Sequence, residues 1–139
     1  MSIKEQEALK SARGSYYYAL DILKGRFKKG EKAISESAQF SYYYARDILK
    51  SRFEKSESVI SKDAKFSYCY ARDILKGRFE KGEIVISKDT DYSKLYRENI
   101  YDAEKELEKE QKKQEEKEKK ELEDIKKSIT INYLYGLEV

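Results

Sequence analysis

The words GSYYYALDILKGRF from Gly14, FSYYYARDILKSRF from Phe40 and FSYCYARDILKGRF from Phe66 are one phrase written three times, 26 residues apart and without gaps. A fixed period constrains the fold more than any composition figure does. Each short unit exposes an apolar face that only a neighbour of the same shape can cover, so the units must stack. Ala19, Ala45 and Ala71 coincide on this period, as do Leu23, Leu49 and Leu75, Phe27, Phe53 and Phe79, Glu31, Glu57 and Glu83, and Ile34, Ile60 and Ile86. A degraded fourth copy starts at Tyr92 and keeps Tyr96 and Ile100, while Glu5 and Ala8 mark half a unit before the first. Irregular end copies suit a stack, because its terminal faces meet water.

Within one unit, DAKFSYCYARDILKG reads as a helix with Asp63 or Ser61 as its N-cap and Gly77 just past its end. RFEKGEIVISKD then has room for a second helix of about two turns, with Glu80 and Glu83 early, where the helix dipole favours anions. The expected fold is all-α: a short α-solenoid of helix pairs, followed by a long charged C-terminal helix and, in one reading, a terminal β-strand. The expected organisation is a repeat domain over 1–91 (half repeat 1–13, repeats from 14, 40 and 66). A capping copy then runs into the long helix over 92–128, and a tail covers 129–139. Asp21, Asp47 and Asp73 are expected to pair with Arg26, Arg52 and Arg78 as a ladder between repeats.

Three adjacent tyrosines cannot share one helix face, because successive residues turn by about 100°. The Tyr44 position is Tyr18, Tyr44, Tyr70 and Tyr96 in the four copies and belongs to the packed side, its hydroxyl reaching a polar partner. The Tyr43 position reads Tyr17, Tyr43, Cys69 and Leu95 and falls on the polar side. Tyr17 and Tyr43 with Arg46, Lys50, Arg72 and Lys76 therefore form a candidate binding face, since aromatic and arginine side chains anchor protein interfaces.

Residues 108–121 contain no apolar side chain. Such a stretch is helical if i,i+4 ion pairs such as Glu108–Lys112 and Glu115–Lys119 support it, and is otherwise a charged linker. The ending SITINYLYGLEV alternates Ile129, Ile131, Tyr133 and Tyr135 with other residues. That pattern suits an irregular cap, or a strand seeking a partner's sheet edge or its own copy in a dimer. Ile131, Tyr133 and Tyr135 join the candidate partner-binding residues.

Charged residues are 41% of the chain, histidine and proline are absent, and there is one cysteine, Cys69. Without histidine the commonest general base and metal ligand is missing, and a lone cysteine supports neither a disulfide nor a zinc site. No catalytic residue, cofactor or metal is expected. The start MSIKEQEALK lacks the apolar core of a signal peptide and no run approaches a membrane span, so a cytoplasmic protein is expected. Residues 1–90 carry 19 Lys and Arg against 13 Asp and Glu, too mild an excess for a nucleic-acid footprint by itself.

The phrases YYYARDILK, YCYARDILKGRFEKGE and VISKD, over roughly residues 14–91, resemble a short tandem helical repeat of tailed-bacteriophage and bacterial proteins. That family often has proline after the aromatic residue, where this chain has Lys28, Glu54 and Glu80. The resemblance implies an α-helical repeat fold, a phage or prophage origin and no particular activity. The resulting expectation is a non-enzymatic protein-binding module, a phage-encoded inhibitor of a host factor such as a defence nuclease (anti-CRISPR-like). The alternatives are a nucleic-acid-binding protein using the basic tyrosine-rich face, and a structural homodimer joined through the C-terminal tail.

Overall fold

A computed structural model describes residues 1–136, whose regular elements are all helical. Two compact units divide the chain, one from Met1 to Asp102 and one from Ala103 onward. No helix among the described residues is long and apolar enough to cross a membrane.

The first unit holds α1 (Ile3–Ala8), α2 (Ala12–Tyr17), α3 (Glu31–Ile34), α4 (Ala38–Tyr44), α5 (Glu57–Ile60), α6 (Ala64–Tyr70), α7 (Glu83–Ser87) and α8 (Thr90–Tyr96). The longer helix of each pair starts on a short polar residue: Ser11, Ser37, Asp63 and Asp89 accept backbone N–H groups of the first turn. These caps satisfy donors that have no partner inside the helix. Asp63 is thus the cap of α6, and Ser61 closes the preceding α5. A 3-10 turn opens each short helix, at Lys28–Gly30, Glu54–Ser56 and Glu80–Gly82. The helix pair expected from the sequence is present, with less α-helix in its second member.

α2, α4, α6 and α8 pack one against the next, and the apolar residues that recur on the 26-residue period meet between them. Ala19, Ala45, Ala71, Tyr44, Tyr70, Ile34 and Ile60 have no exposed surface. Tyr18, Tyr44 and Tyr70 set their rings 4.8, 5.2 and 5.1 Å from Phe27, Phe53 and Phe79 of their own units. Close approach is built in elsewhere: a Cβ on Gly82 would lie 2.7 Å from the Ser67 Cβ. Ser67 itself, fully buried, donates to the Ile60 carbonyl at 2.8 Å, and Ser15 and Ser41 do the same to Ala8 and Ile34.

Each of the four longer helices widens into a π turn, at Tyr18–Leu23, Ala45–Leu49, Ala71–Leu75 and Arg97–Tyr101. In the first three units the turn ends on a lysine in the left-handed region: Lys24, Lys50 and Lys76 all have φ of 52°. The N–H of the following Gly25 or Gly77 then closes onto the carbonyl of Ala19 or Ala71. Gly77, expected just past the helix end, is not itself left-handed; Lys76, one place before it, takes that conformation. This explains why Ser51 can stand where the other copies have glycine. Lys50 is exposed and bears the Cβ strain of a left-handed residue. Lys50→Gly is expected to stabilise the fold by up to about 1 kcal/mol in chemical denaturation.

The fourth copy has no left-handed lysine. Asp102 stands in its place with φ of −68°, and the π turn runs on into α9 (Asp102–Tyr135), a 34-residue helix about 50 Å long. The phenylalanine that fills the turn in earlier copies is Lys105 here, so nothing rewards bending the chain back. Residues 108–121 are helical, and their neighbourhood carries i,i+3 pairs such as Lys105–Glu108 and Glu106–Lys109.

Residues 129–135 correct the sequence expectation. They form neither a strand nor an irregular cap but the last two turns of α9, and no strand occurs among the described residues. Once a helix is nucleated, adding Ile, Thr or Tyr costs only a few tenths of a kcal/mol each, whereas a lone strand has no ladder to join. Residues 137–139, the end of that tail, lie outside the described residues.

Candidate functional site

Two polar ladders run through the repeat unit. The first is centred on buried glutamates. Glu57 has no exposed surface and accepts two hydrogen bonds from the Arg52 guanidinium at 3.1 and 2.8 Å, five residues before it. It also accepts from the Tyr70 hydroxyl at 2.7 Å and from Lys81 Nζ at 3.3 Å, both in the next copy. Glu31 repeats the arrangement with Arg26, Tyr44 and Lys55. Glu83 keeps Arg78 and Tyr96, but the residue 26 places after Lys81 in the sequence is Leu107, and the carboxylate is partly exposed. The same tyrosine hydroxyls accept the backbone N–H of Phe27, Phe53 and Phe79 at 3.0 Å. One hydroxyl thereby fixes both the turn and the carboxylate of the preceding copy.

Burial pushes the Glu31 and Glu57 carboxyls up, but hydrogen bonds from arginine, tyrosine and lysine outweigh it and hold both below the ordinary value of 4.5. Burial raises the Tyr44 hydroxyl to about 12, with help from Glu31. The expected pairing of Arg26, Arg52 and Arg78 with Asp21, Asp47 and Asp73 is therefore overturned. The arginines leave the left-handed turn on the side where the short helix begins, and the first residue of that helix is the glutamate.

The aspartates serve the second ladder. Asp47 and Asp73 are held bidentately by the arginine just before them, Arg46 and Arg72, at 2.7 and 2.9 Å. Each also accepts a tyrosine hydroxyl from the preceding copy: Tyr16 donates to Asp47 at 2.5 Å and Tyr42 donates to Asp73. In the fourth copy Asn99 takes the aspartate's place and donates to the Tyr68 hydroxyl at 3.2 Å. The arginine, more than burial opposes it, keeps both aspartates below their usual value.

Beside this ladder lies a row of aromatic rings. Tyr17, Phe40, Tyr43 and Phe66 follow one another with centroids 6.4, 5.9 and 6.1 Å apart. A cation sits over each set: Arg13 over Tyr17, Arg46 over Tyr43 at 4.9 Å, Lys65 over Phe66 and Arg72 over Tyr68. Such stacking fixes the guanidinium planes as well as adding attraction.

The structure thus brings Tyr17, Tyr43, Arg46 and Arg72 into one row but changes how they are presented. Tyr17 is 44% exposed, whereas Tyr43 is half-buried edge-on between Phe40 and Phe66, not displayed on a polar side. Cys69 is half-buried as well, and burial pushes its thiol up, away from nucleophilic use. Phe40, Phe66 and Tyr92 belong with the row and were not singled out by sequence. Their recurrence at the unit's first position was the available signal. Lys50 and Lys76 are exposed at the ends of the π turns, several residues from the rings. Ile131, Tyr133 and Tyr135 do not form a common face. On a helix, residues two apart point about 200° from each other, so Tyr133 looks away from the other two.

Among the described residues no three acidic or cysteine side chains converge as a metal site requires. Comparison with protein-family models, with curated proteins and with solved structures finds no match to this chain.

Proposed function

We propose that the chain is a non-enzymatic protein-binding repeat module whose contact surface is the aromatic row. The observation that carries this reading is the succession Tyr17, Phe40, Tyr43, Phe66, none of them fully buried and all but Phe40 beside a cation. Rigid, amphipathic rings with pre-oriented guanidinium groups lose little entropy on binding, as interface hot spots require. The likeness of the repeat phrases to phage repeats gives the partner class: a host protein whose surface the row occupies, a defence nuclease being the specific case. Nucleic-acid binding is the weaker reading, because Arg46 and Arg72 are neutralised by Asp47 and Asp73 and have little charge left for phosphates.

The test is affinity capture from bacterial host lysate after nuclease treatment, with the wild type and a Tyr17→Ala variant. The position is exposed, so the repeat should keep its helicity. Capture of one dominant protein, reduced about ten-fold or more by the variant, is the expected result. Equal capture by the two proteins removes the row from the proposal, and capture that depends on nucleic acid replaces it with the weaker reading.

A further inference from the structure

The end of α9 carries an apolar seam that the proposed binding row does not use. At about 100° per residue, Leu122, Ile125, Ile129 and Tyr133 lie within about 80° of arc. Their exposures are 51, 56, 53 and 86%. Leu122, Ile125 and Ile129, three and then four residues apart, take alternate core positions of a coiled-coil heptad, with Asn132 at the next core position and Tyr133 flanking it. The same face is polar upstream, where Glu115 and Glu118 would meet their own copies, so the seam starts at about residue 121.

We propose that residues 121–135 of α9 pair in parallel with the same segment of a second copy of the chain. The flanking charges select this occupant. In a parallel, in-register pair, Glu121 of one copy lies beside Lys126 of the other, twice by symmetry, because a residue flanking the seam faces the one five further along its partner. An antiparallel arrangement that keeps the apolar residues together instead carries Glu121 to the Tyr135 end of the other copy, where it meets no lysine, and brings Lys126 close to Lys126. Asn132 at a core position meets its own copy, and can bond to it, only in the parallel register; the antiparallel one sets it against Leu122. A seam of about two heptads gives a reversible, concentration-dependent dimer. Its consequence is two repeat units in one assembly, which raises the avidity for any partner presented in more than one copy.

Sedimentation equilibrium of the full chain over a range of concentrations tests the proposal. The wild type is expected to approach twice the chain mass, and Ile129→Asp to remain at one chain while keeping its helical circular dichroism. Glu121→Lys and Lys126→Glu are each expected to weaken pairing about ten-fold, and the double exchange to restore it. A wild type that stays at one chain mass at every concentration overturns the proposal. So does a dimer that survives Ile129→Asp, and a double exchange that fails to restore pairing overturns the parallel register.

Discussion

Glu57→Ala is expected to lower the unfolding free energy by about 2–3 kcal/mol, a large effect for a polar side chain. Removing the carboxylate leaves the Tyr70 hydroxyl, in a side chain with no exposed surface, without its acceptor. It also strips Arg52 of both its hydrogen bonds. Breaking a fully buried ion pair costs more, about 3–5 kcal/mol, but the Arg52 side chain is 54% exposed and can rehydrate, which sets the lower figure. Urea titration followed by circular dichroism measures it. An unchanged midpoint would show that the ladder orders the turn without stabilising it.

The same ladders fix the response to pH. Glu31, Glu57, Glu83, Asp47 and Asp73 all titrate below their ordinary values of 4.5 and 3.8 in the folded chain. The unfolded chain therefore binds protons first as the solution is acidified. Their stabilisation is complete above the ordinary values and is lost as pH falls through the lower, folded ones. Burial, reinforced by carboxylate neighbours, raises Tyr16, Tyr42 and Tyr70 above 10.0, and Tyr44 to about 12. Their contribution is present below pH 10 and is lost as pH rises toward the folded values. A melting temperature that is flat between about pH 5 and 10 and falls on both sides is the expected profile. A flat acid limb would contradict the carboxylate ladder.

Tyr70→Phe is expected to cost about 2 kcal/mol, with no change of shape. The hydroxyl it removes accepts the buried Phe53 N–H at 3.0 Å and donates to Glu57, so the substitution orphans a backbone donor and weakens the carboxylate's set together. Because Tyr70 and Glu57 share a bond, the double variant should be less destabilised than the sum of the two single ones. Strict additivity in the double-mutant cycle would place the cost in the turn alone.

Much of this was legible in the sequence. The period named a stacked, all-α architecture, because a unit of 26 residues cannot bury its own apolar face. Asp63 as a cap and the Tyr44 position as packing follow from local rules of capping and helical angle, and of the two readings of residues 108–121 the helix is the one observed. Partner choice among like-charged groups was not legible. Glutamate and aspartate recur with equal regularity, and which one meets Arg52 depends on the direction in which the chain leaves a left-handed lysine after a π turn. Composition does not encode that direction.

The tail shows the same division. Alternation of Ile129, Ile131, Tyr133 and Tyr135 is a β pattern in isolation, yet these residues continue a helix. A strand needs a neighbour to satisfy its backbone, while a helix satisfies its own. By itself the sequence determined the repeat, the helices and the residues available for contact. Only the tertiary structure decided which carboxylate each arginine holds, how far Tyr43 is covered, and which way the tail's side chains point. Those depend on the neighbouring copy and on the twist of the backbone between copies, which no single unit contains.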